Sequence, residues 1–199
     1  ALSSAASDVY KRQEDLRPDV YSHSSIRNLY LDTPDFRLIR RSLEKPVYKE
    51  KLRLRSYGRT ERDSPVFMEL KKKYRSIVYK RRLTLPYDRA LDCLTGACPW
   101  PETQIGGEIR YTVDFYPDLE SRVFLAYERD SWLAPESGLR ITFDDAIRFR
   151  TEELTLDSDP WGTALLGPDQ VLMELKAPGA IPLWICLLYT SPSPRDRSV

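Results

Sequence analysis

Residues 47–82 alternate charged and apolar side chains with the period of a β-strand. The first segment has a cation at every second position: Lys49, Lys51, Arg53 and Arg55. Leu52 and Leu54 lie between these cations. Because the side chains of a strand point alternately to its two faces, the pattern predicts a strand with one basic face and one face suited to packing.

The next two segments repeat the alternation. Their charged positions on the same side are Glu69, Lys71, Lys73, Lys80 and Arg82. A merely solvated face is the alternative, but residues 47–82 hold thirteen Lys or Arg and only four acids. Solvated faces normally mix charges, because like charges opposite each other on paired strands repel. The pattern therefore favours three consecutive strands whose basic face binds a polyanion.

The rest of the chain balances this positive charge. The net charge of all 199 residues is +1, and residues 107–185 hold fifteen acids and seven Lys or Arg. This balance argues against a generally basic protein that coats nucleic acid, and no nucleic-acid partner is expected. A strongly basic interior in a protein of nearly zero net charge favours the binding of a small, highly charged anion in a cavity. The chain length predicts one domain of ordinary size.

The remaining periodicity predicts an α+β fold. Strands are expected at 25–31, 47–57, 65–73, 76–85, 122–130, 139–149 and 170–176. Helices are expected at 34–43, 86–94 and 104–116, with Thr33 as the N-cap and Pro34 in the first helical position of the first one. Residues 14–24 are expected to be a connection. Because every strand carries charge on one side, we predict an antiparallel β-tunnel, or barrel, with a basic lumen and short helices packed outside.

The two ends of the chain are predicted to be translated adaptor DNA. A coding sequence for Asp8–Gln13, read as its reverse complement, encodes residues 186–190. One DNA element in two orientations thus explains both ends, and it resembles the transposase adaptor of sequencing libraries. We expect residues 1–13 and 186–199 to be adaptor-derived and residues 14–185 to be the domain.

Other residue types limit the chemistry and the compartment. Cys93 and Cys98 have no second Cys or His pair, so neither a zinc site nor a disulfide framework is indicated. The single histidine, His23, is expected at the surface. No catalytic Ser/His/Asp or Cys/His set and no glycine-rich phosphate loop is present. We expect a cytoplasmic domain, since the sequence shows neither a signal peptide nor a membrane-spanning run.

Several motifs, in this order, resemble one known family: SIRNLYLDTPDFRL, YKEKLRLRSYG, VFMELKKK, VYKRR, LAYERDSW, LRITFD and VLMELKAPGAIPLW. Together they are similar to the VTC (vacuolar transporter chaperone) domain of polyphosphate polymerases, a branch of the CYTH-like triphosphate tunnel metalloenzymes. The resemblance implies a β-tunnel that binds ATP and polyphosphate, a divalent metal held by glutamates, and transfer of the γ-phosphate of ATP to a growing polyphosphate chain.

The resemblance also implies roles for particular residues. By motif position, the phosphate ligands are Arg53, Arg55, Lys71, Lys80, Arg129 and Arg140. Glu174 takes the position of the metal ligand. The family's opening Glu-x-Glu-x-Lys strand and closing Ser-Lys-Tyr segment are missing. We therefore expect an incomplete tunnel that binds polyphosphate weakly and does not synthesise it.

Phosphoryl transfer mainly requires positioning and neutralisation of the phosphoryl oxygens, which Arg and Lys supply. The predicted phosphate-binding set is Lys49, Lys51, Arg53, Arg55, Lys71, Lys80, Arg82, Arg129, Arg140 and Lys176. The predicted catalytic set is Arg53, Arg55, Lys80, Arg129 and Glu174. Glu69 and Glu174 are candidate ligands of Mn²⁺ or Mg²⁺, with ordinary Glu/Lys strand pairs as the alternative. Two further functions stay open: a tunnel triphosphatase, and a non-catalytic module that binds polyphosphate or inositol phosphates.

Overall fold

The computed structural model describes residues 16–181, and these residues form eight strands and three helices. The strands are β1 (Arg17–Asp32), β2 (Tyr48–Tyr57), β3 (Pro65–Tyr74), β4 (Ile77–Pro86), β5 (Glu120–Ala134), β6 (Leu139–Arg150), β7 (Thr163–Ala164) and β8 (Leu172–Lys176). The helices are α1 (Arg37–Leu43), α2 (Tyr87–Thr95) and α3 (Gln104–Phe115). The predicted adaptor-derived ends, 1–13 and 186–199, lie outside the described residues.

All eight strands belong to one sheet with the order β4-β3-β2-β1-β5-β6-β7, and β8 also pairs with β6. The β1–β2, β2–β3, β3–β4, β6–β7 and β6–β8 pairs are antiparallel. The antiparallel α+β fold predicted from the sequence is thereby confirmed. Within residues 16–181, the strand order runs from β4 to β7 and does not return to β4.

The described chain divides into two compact units. The larger unit comprises residues 25–127 and 147–165, and the smaller one includes residues 16–24, 128–146 and 166–181. Strands β1, β5 and β6 contribute residues to both units.

The core of the larger unit lies on the apolar face of β2 and β3. Leu52, Leu70 and Met68 are fully buried there, as their alternation with charged residues predicts. Helices α2 and α3 add Ala90 and Ile109 to the same cluster. Burial of one such large side chain contributes roughly 1.5–3 kcal/mol, so this face supplies much of the stability of the unit.

Helix α3 forms although two glycines weaken its first turn. The hydroxyl of Thr103 caps the helix by accepting the backbone N–H of Gly106 at 3.0 Å. A Cβ atom at Gly106 would lie 2.2 Å from the carbonyl oxygen of Pro101, so only glycine allows this close approach. The cap and the close approach together explain a helix start that propensity alone disfavours.

A single arginine organises the segment that follows β6 in the larger unit. The guanidinium of Arg150 donates to the carbonyl oxygens of Glu153 and Trp161, at 3.0 Å each, and to that of Asp159 at 3.2 Å. It also lies 3.6 Å from the centroid of the Phe124 ring. Because its five donors are fixed in one plane, arginine can bind several carbonyl groups of an irregular segment at once.

The predicted start of the first helix is wrong. Helix α1 begins after Phe36, whose φ of 58° is left-handed, rather than at Pro34 with Thr33 as N-cap. A residue before the helix satisfies N–H groups of its first turn: the carboxylate of Asp32 accepts hydrogen bonds from the backbone N–H groups of Leu38 and Ile39. The hydroxyl of Thr33 still contributes, accepting the N–H of Arg37 at 2.9 Å.

Two further elements differ from prediction. Residues 17–24 continue strand β1 instead of forming a connection, and the two-residue strand β7 was not predicted. Val20 and Tyr21 in this part of β1 favour strands but are both exposed. The alternation of buried and exposed residues that marks the other strands is therefore absent from these two positions. His23 lies in the same strand with its side chain 65% exposed, which confirms its surface position.

The smaller unit has its own apolar cluster. Leu139 and Ile141 of β6 are buried against Met173 and Leu175 of β8. The β6–β8 register places Thr142 opposite Glu174. The charged residues of β8 therefore lie on the opposite face of the strand from its packing residues.

Candidate functional site

The basic face of the larger unit is defined here as the side of β2, β3 and β4 that is opposite the core. Its members are Lys49, Lys51, Arg53, Arg55, Phe67, Glu69, Lys71, Lys73, Lys80 and Arg82. The strand registers order these side chains into rows across the sheet. The predicted sharing of one face by the cations of the three strands is confirmed.

One row of the basic face consists of three lysines. Lys51 lies opposite Lys71, and Lys71 lies opposite Lys80. Lys51 and Lys71 are exposed, and neither has a carboxylate partner among residues 16–181. Directly opposed like charges destabilise a strand pair. Within residues 16–181, Lys80 alone of this row contacts a carboxylate, that of Glu69.

The next row is centred on the buried carboxylate of Glu69. Arg53 and Arg82 are its neighbours on β2 and β4. The Nη2 and Nε atoms of Arg53 lie 2.6 and 2.9 Å from Oε2 of Glu69. Nε of Arg82 lies 2.8 Å, and Nζ of Lys80 3.1 Å, from Oε1. Both oxygens of Glu69 are therefore occupied by cations.

This environment fixes the charge of Glu69. Its side chain is 2% exposed, and burial alone would raise its pKa. The hydrogen bonds and charges of Arg53, with the positive charges of Arg55 and Lys80, instead lower the pKa of Glu69 to about 2. Glu69 thus carries a negative charge at neutral pH and holds Arg53, Lys80 and Arg82 in place.

Polar residues of neighbouring strands orient the two arginines of β2. Nη1 of Arg53 donates to the hydroxyl of Tyr30 at 3.0 Å. Arg55 donates through Nε to Oδ1 of Asn28 at 2.9 Å and through Nη2 to the hydroxyl of Tyr127 at 3.2 Å. Sequence reasoning did not assign these three partners to the site, although Asn28 and Tyr30 occupy alternate positions of a predicted strand.

The remaining lysines of this face differ in their surroundings. Nζ of Lys49 donates to the carbonyl oxygen of Ser42 at 3.2 Å. Lys51 also lines a cavity of about 390 Å³. The other walls of this cavity include Tyr30, Phe36, Leu125, Phe149 and Leu165. A mostly apolar space therefore adjoins the lysine row at Lys51.

The smaller unit holds the other predicted site residues. Nε and Nη2 of Arg129 bind the two carboxylate oxygens of Asp144 at 2.6 and 2.7 Å. Nη2 of Arg129 also lies 3.9 Å from Glu174, whose other oxygen is 3.3 Å from Nζ of Lys176. Nε of Arg140 lies 3.1 Å from a carboxylate oxygen of Asp19. Asp144 is not among the site residues predicted from the sequence, so its contact with Arg129 was missed.

The two candidate metal ligands, Glu69 and Glu174, differ in how well their surroundings suit a metal ion. No group of three or more His, Cys, Asp or Glu side chains within residues 16–181 could hold a metal ion by itself. Glu69 fits poorly, because its oxygens already contact three cations that would repel a metal. Glu174 also lies near two cations, Arg129 at 3.9 Å and Lys176 at 3.3 Å, but it is 48% exposed and fits better. Mg²⁺ and Mn²⁺ accept one or two protein carboxylates and complete their shell with phosphate oxygens and water.

Comparison with known proteins places the chain in a family. No curated protein sequence matches it significantly. Among solved structures, a Bacillus halodurans protein provisionally described as an adenylate cyclase is similar with a TM-score of 0.48 and 16% identity, covering 73% of this chain and 68% of that one. In the described part of the chain, no helix has the length and apolar character needed to span a membrane. The model of the VTC domain matches residues 5–196, and the chain therefore belongs to the VTC domain family.

Proposed function

We propose that this domain binds a polyphosphate chain on its basic face and, with a divalent metal, transfers the γ-phosphate of ATP to that chain. The observation that carries the proposal is the lysine row Lys51–Lys71–Lys80 beside the Glu69 cluster. Membership of the VTC domain family supports the same substrate class.

The spacing of the lysine row suits a linear polyanion. Neighbouring strands lie about 4.8 Å apart, so three lysines on three strands extend over about 10 Å. Each ammonium group is a compact charge on a flexible stem and can follow the oxygens of successive phosphates. Arg53 is held by Glu69 and Tyr30 before any ligand arrives, so it is preorganised to bind a phosphoryl group.

The predicted metal ligand and the other predicted phosphate ligands belong to the smaller unit. Glu174 would hold Mn²⁺ or Mg²⁺, which when bound neutralises charge on the phosphate oxygens. Arg129, Arg140 and Lys176 are proposed as phosphate ligands, and their present carboxylate partners would be exchanged for phosphate. The β-tunnel with a basic lumen, which the sequence predicts to be incomplete in this chain, is part of this proposal.

The cavity beside Lys51 supports a nucleotide as the phosphoryl donor. Its volume of about 390 Å³ lies in the range of small-ligand pockets. The rings of Tyr30, Phe36 and Phe149 would pack against a base. Because Lys51 belongs both to the cavity and to the lysine row, the base and the phosphates of one nucleotide could be bound together.

One observation favours a second function, a non-catalytic module that binds polyphosphate. The lysine row needs no metal to bind an anion, and Glu69 is already neutralised by three cations. A binding module would use the basic face alone and leave Glu174 without a role.

Binding and turnover measurements separate these functions. Calorimetry with tripolyphosphate should detect binding that weakens as the salt concentration rises. Absence of binding at low salt would refute both functions. Incubation with ATP and Mn²⁺ then assigns the reaction: polyphosphate growth shows a polymerase, and release of free phosphate alone shows a triphosphatase. Binding without turnover supports the module only where a VTC domain protein with the opening and closing family motifs also binds without turnover. A VTC domain protein that contains the opening and closing family motifs is the positive control for the assay.

A further inference from the structure

The two cysteines of the larger unit lie next to each other at the end of α2. Cys93 is in the last turn of the helix, and its Sγ atom is 3.1 Å from Sγ of Cys98. Gly96, with a φ of 77°, turns the chain at the helix end. The N–H groups of Ala97 and Cys98 both donate to the carbonyl oxygen of Asp92, which brings Cys98 back towards the helix.

The surroundings of the pair restrict its chemistry. Cys93 is 1% exposed and belongs to the main apolar cluster, whereas Cys98 is partly exposed. The nearest acceptors are backbone carbonyl groups, that of Pro99 for Cys93 and that of Arg89 for Cys98. With two sulfur atoms and no third ligand group of His, Cys, Asp or Glu within residues 16–181, the pair is not a metal site.

We propose that Cys93 and Cys98 form an intramolecular disulfide when the protein meets a disulfide oxidant such as oxidised glutathione. The thiolate of Cys98 attacks one sulfur of glutathione disulfide and releases one glutathione thiolate. The thiolate of Cys93 then attacks Sγ of Cys98 and releases the second glutathione. Two protein thiols are oxidised to one disulfide, and one glutathione disulfide is reduced to two thiols.

The roles of the two cysteines follow from exposure. Cys98 reacts first because an external oxidant can reach it, and the buried Cys93 resolves the mixed disulfide. Burial, together with the contact to Cys98, raises the pKa of the Cys93 thiol to about 11. The resolving thiolate is therefore scarce at neutral pH, so the bond forms slowly and acts as a structural link rather than a rapid sensor.

The disulfide would fix the end of α2 without changing the basic face. Cys93 and Ala90 belong to the cluster that contains Leu70 and Met68 of β3. Those two side chains point away from Glu69 and Lys71 on the same strand. We expect higher thermal stability and unchanged affinity for tripolyphosphate in the oxidised protein.

The test uses the full chain with Cys186→Ser, which leaves Cys93 and Cys98 as its only thiols. After equilibration with oxidised glutathione, the thiol count should fall from two to zero and the intact mass should fall by two hydrogen atoms. Cys98→Ser in the same background is the matched control and should not lose those hydrogens. By the loop-entropy estimate, the oxidised protein should melt higher by roughly 5 °C.

Two results would overturn the proposal. Stable glutathione adducts on the two cysteines, in place of the internal bond, would show that the thiols cannot pair in the folded protein. A lower melting temperature after oxidation would show that the bond distorts the end of α2. Unchanged tripolyphosphate affinity with a higher melting temperature would support the proposal, and this result is independent of whether the domain catalyses phosphoryl transfer.

Discussion

Replacement of Glu69 by glutamine tests the electrostatic organisation of the basic face. Glu69→Gln keeps the size of the side chain but removes the negative charge that Arg53, Lys80 and Arg82 share. We expect two opposite effects, a less stable fold and tighter binding of tripolyphosphate, because the same three cations lose a protein partner and become available to the ligand.

The structure gives the size of the stability effect. The pKa of Glu69 falls from 4.5 to about 2 on folding, and each pKa unit is worth about 1.4 kcal/mol. The full shift corresponds to about 3 kcal/mol, and partial exposure of Lys80 and Arg82 reduces the expected loss to about 2–3 kcal/mol. Since the folded pKa is the lower one, this contribution is complete above pH 4.5 and is lost as the pH falls to about 2.

Urea denaturation between pH 7 and pH 3 measures this prediction. The free energy of unfolding of Glu69→Gln should lie below that of the parent at pH 7, and the difference should shrink as the pH falls below 4.5. Glu61→Gln, at an exposed acid of the same unit, is the control and should stay near the parent at both pH values. Equal stability of Glu69→Gln and the parent at pH 7 would refute the assigned role of Glu69.

Further predictions concern the ligands and the irregular segment. Lys71→Gln should weaken tripolyphosphate binding several-fold at low salt in calorimetry, whereas Lys72→Gln, on the other face of β3, should not. Glu174→Gln should abolish metal-dependent turnover in a VTC domain protein that shows it, without weakening metal-free anion binding; unchanged turnover would contradict its role. Leu165→Trp should fill the cavity and reduce affinity for ATP but not for tripolyphosphate. Arg150→Lys should lower the free energy of unfolding by about 2 kcal/mol or more, because lysine cannot replace the planar set of carbonyl contacts.

Much of the fold is readable from the sequence because β2, β3 and β4 are consecutive strands in which charged and apolar residues alternate over most positions. The predicted segments 47–57, 65–73 and 76–85 differ from the observed strands by one residue at their ends. The core takes up the apolar residues Leu52, Leu54, Val66, Met68, Leu70 and Leu85, as a two-residue period predicts. Ile77 and Tyr79 of β4, expected on the packing face, are exposed, and Lys72 and Arg81 lie on the core side of the sheet.

Contacts between distant strands could not be predicted in the same way. Arg55 binds Asn28 across 27 positions of sequence and Tyr127 across 72. Their pairing depends on the register between strands that are not joined by a short turn, and local alternation does not determine that register. The contact between Arg129 and Asp144 has another cause: only residues 135–138 separate β5 from β6, but no register was predicted for this pair of strands.

The interpretation of Glu69 illustrates how register changes a chemical prediction. An acid on a basic strand face suggests a metal ligand when only its own strand is considered. The register places Arg53 and Arg82 directly opposite it on both sides, and their guanidinium groups occupy the carboxylate. The register places Thr142 opposite Glu174, and the two cationic neighbours of Glu174 are farther away, Arg129 at 3.9 Å and Lys176 at 3.3 Å. The cross-strand neighbours, rather than the residue type, thus distinguish a positioning carboxylate from a candidate metal ligand.

On the basic face, one carboxylate compensates three cations, while two lysines of the adjoining row stay uncompensated within the described chain. Glu69 stabilises Arg53, Arg82 and Lys80, whereas Lys51 and Lys71 have no carboxylate partner within the described chain. The free protein therefore retains repulsion that a bound polyanion would remove. Any ligand that binds only the folded state adds to its stability, by about 2.7 kcal/mol at a concentration of 100 times Kd. Binding and folding are in this way coupled through the same lysines. A bound polyphosphate chain should therefore protect β2 and β3, whose lysines repel one another in the free protein, most strongly against unfolding.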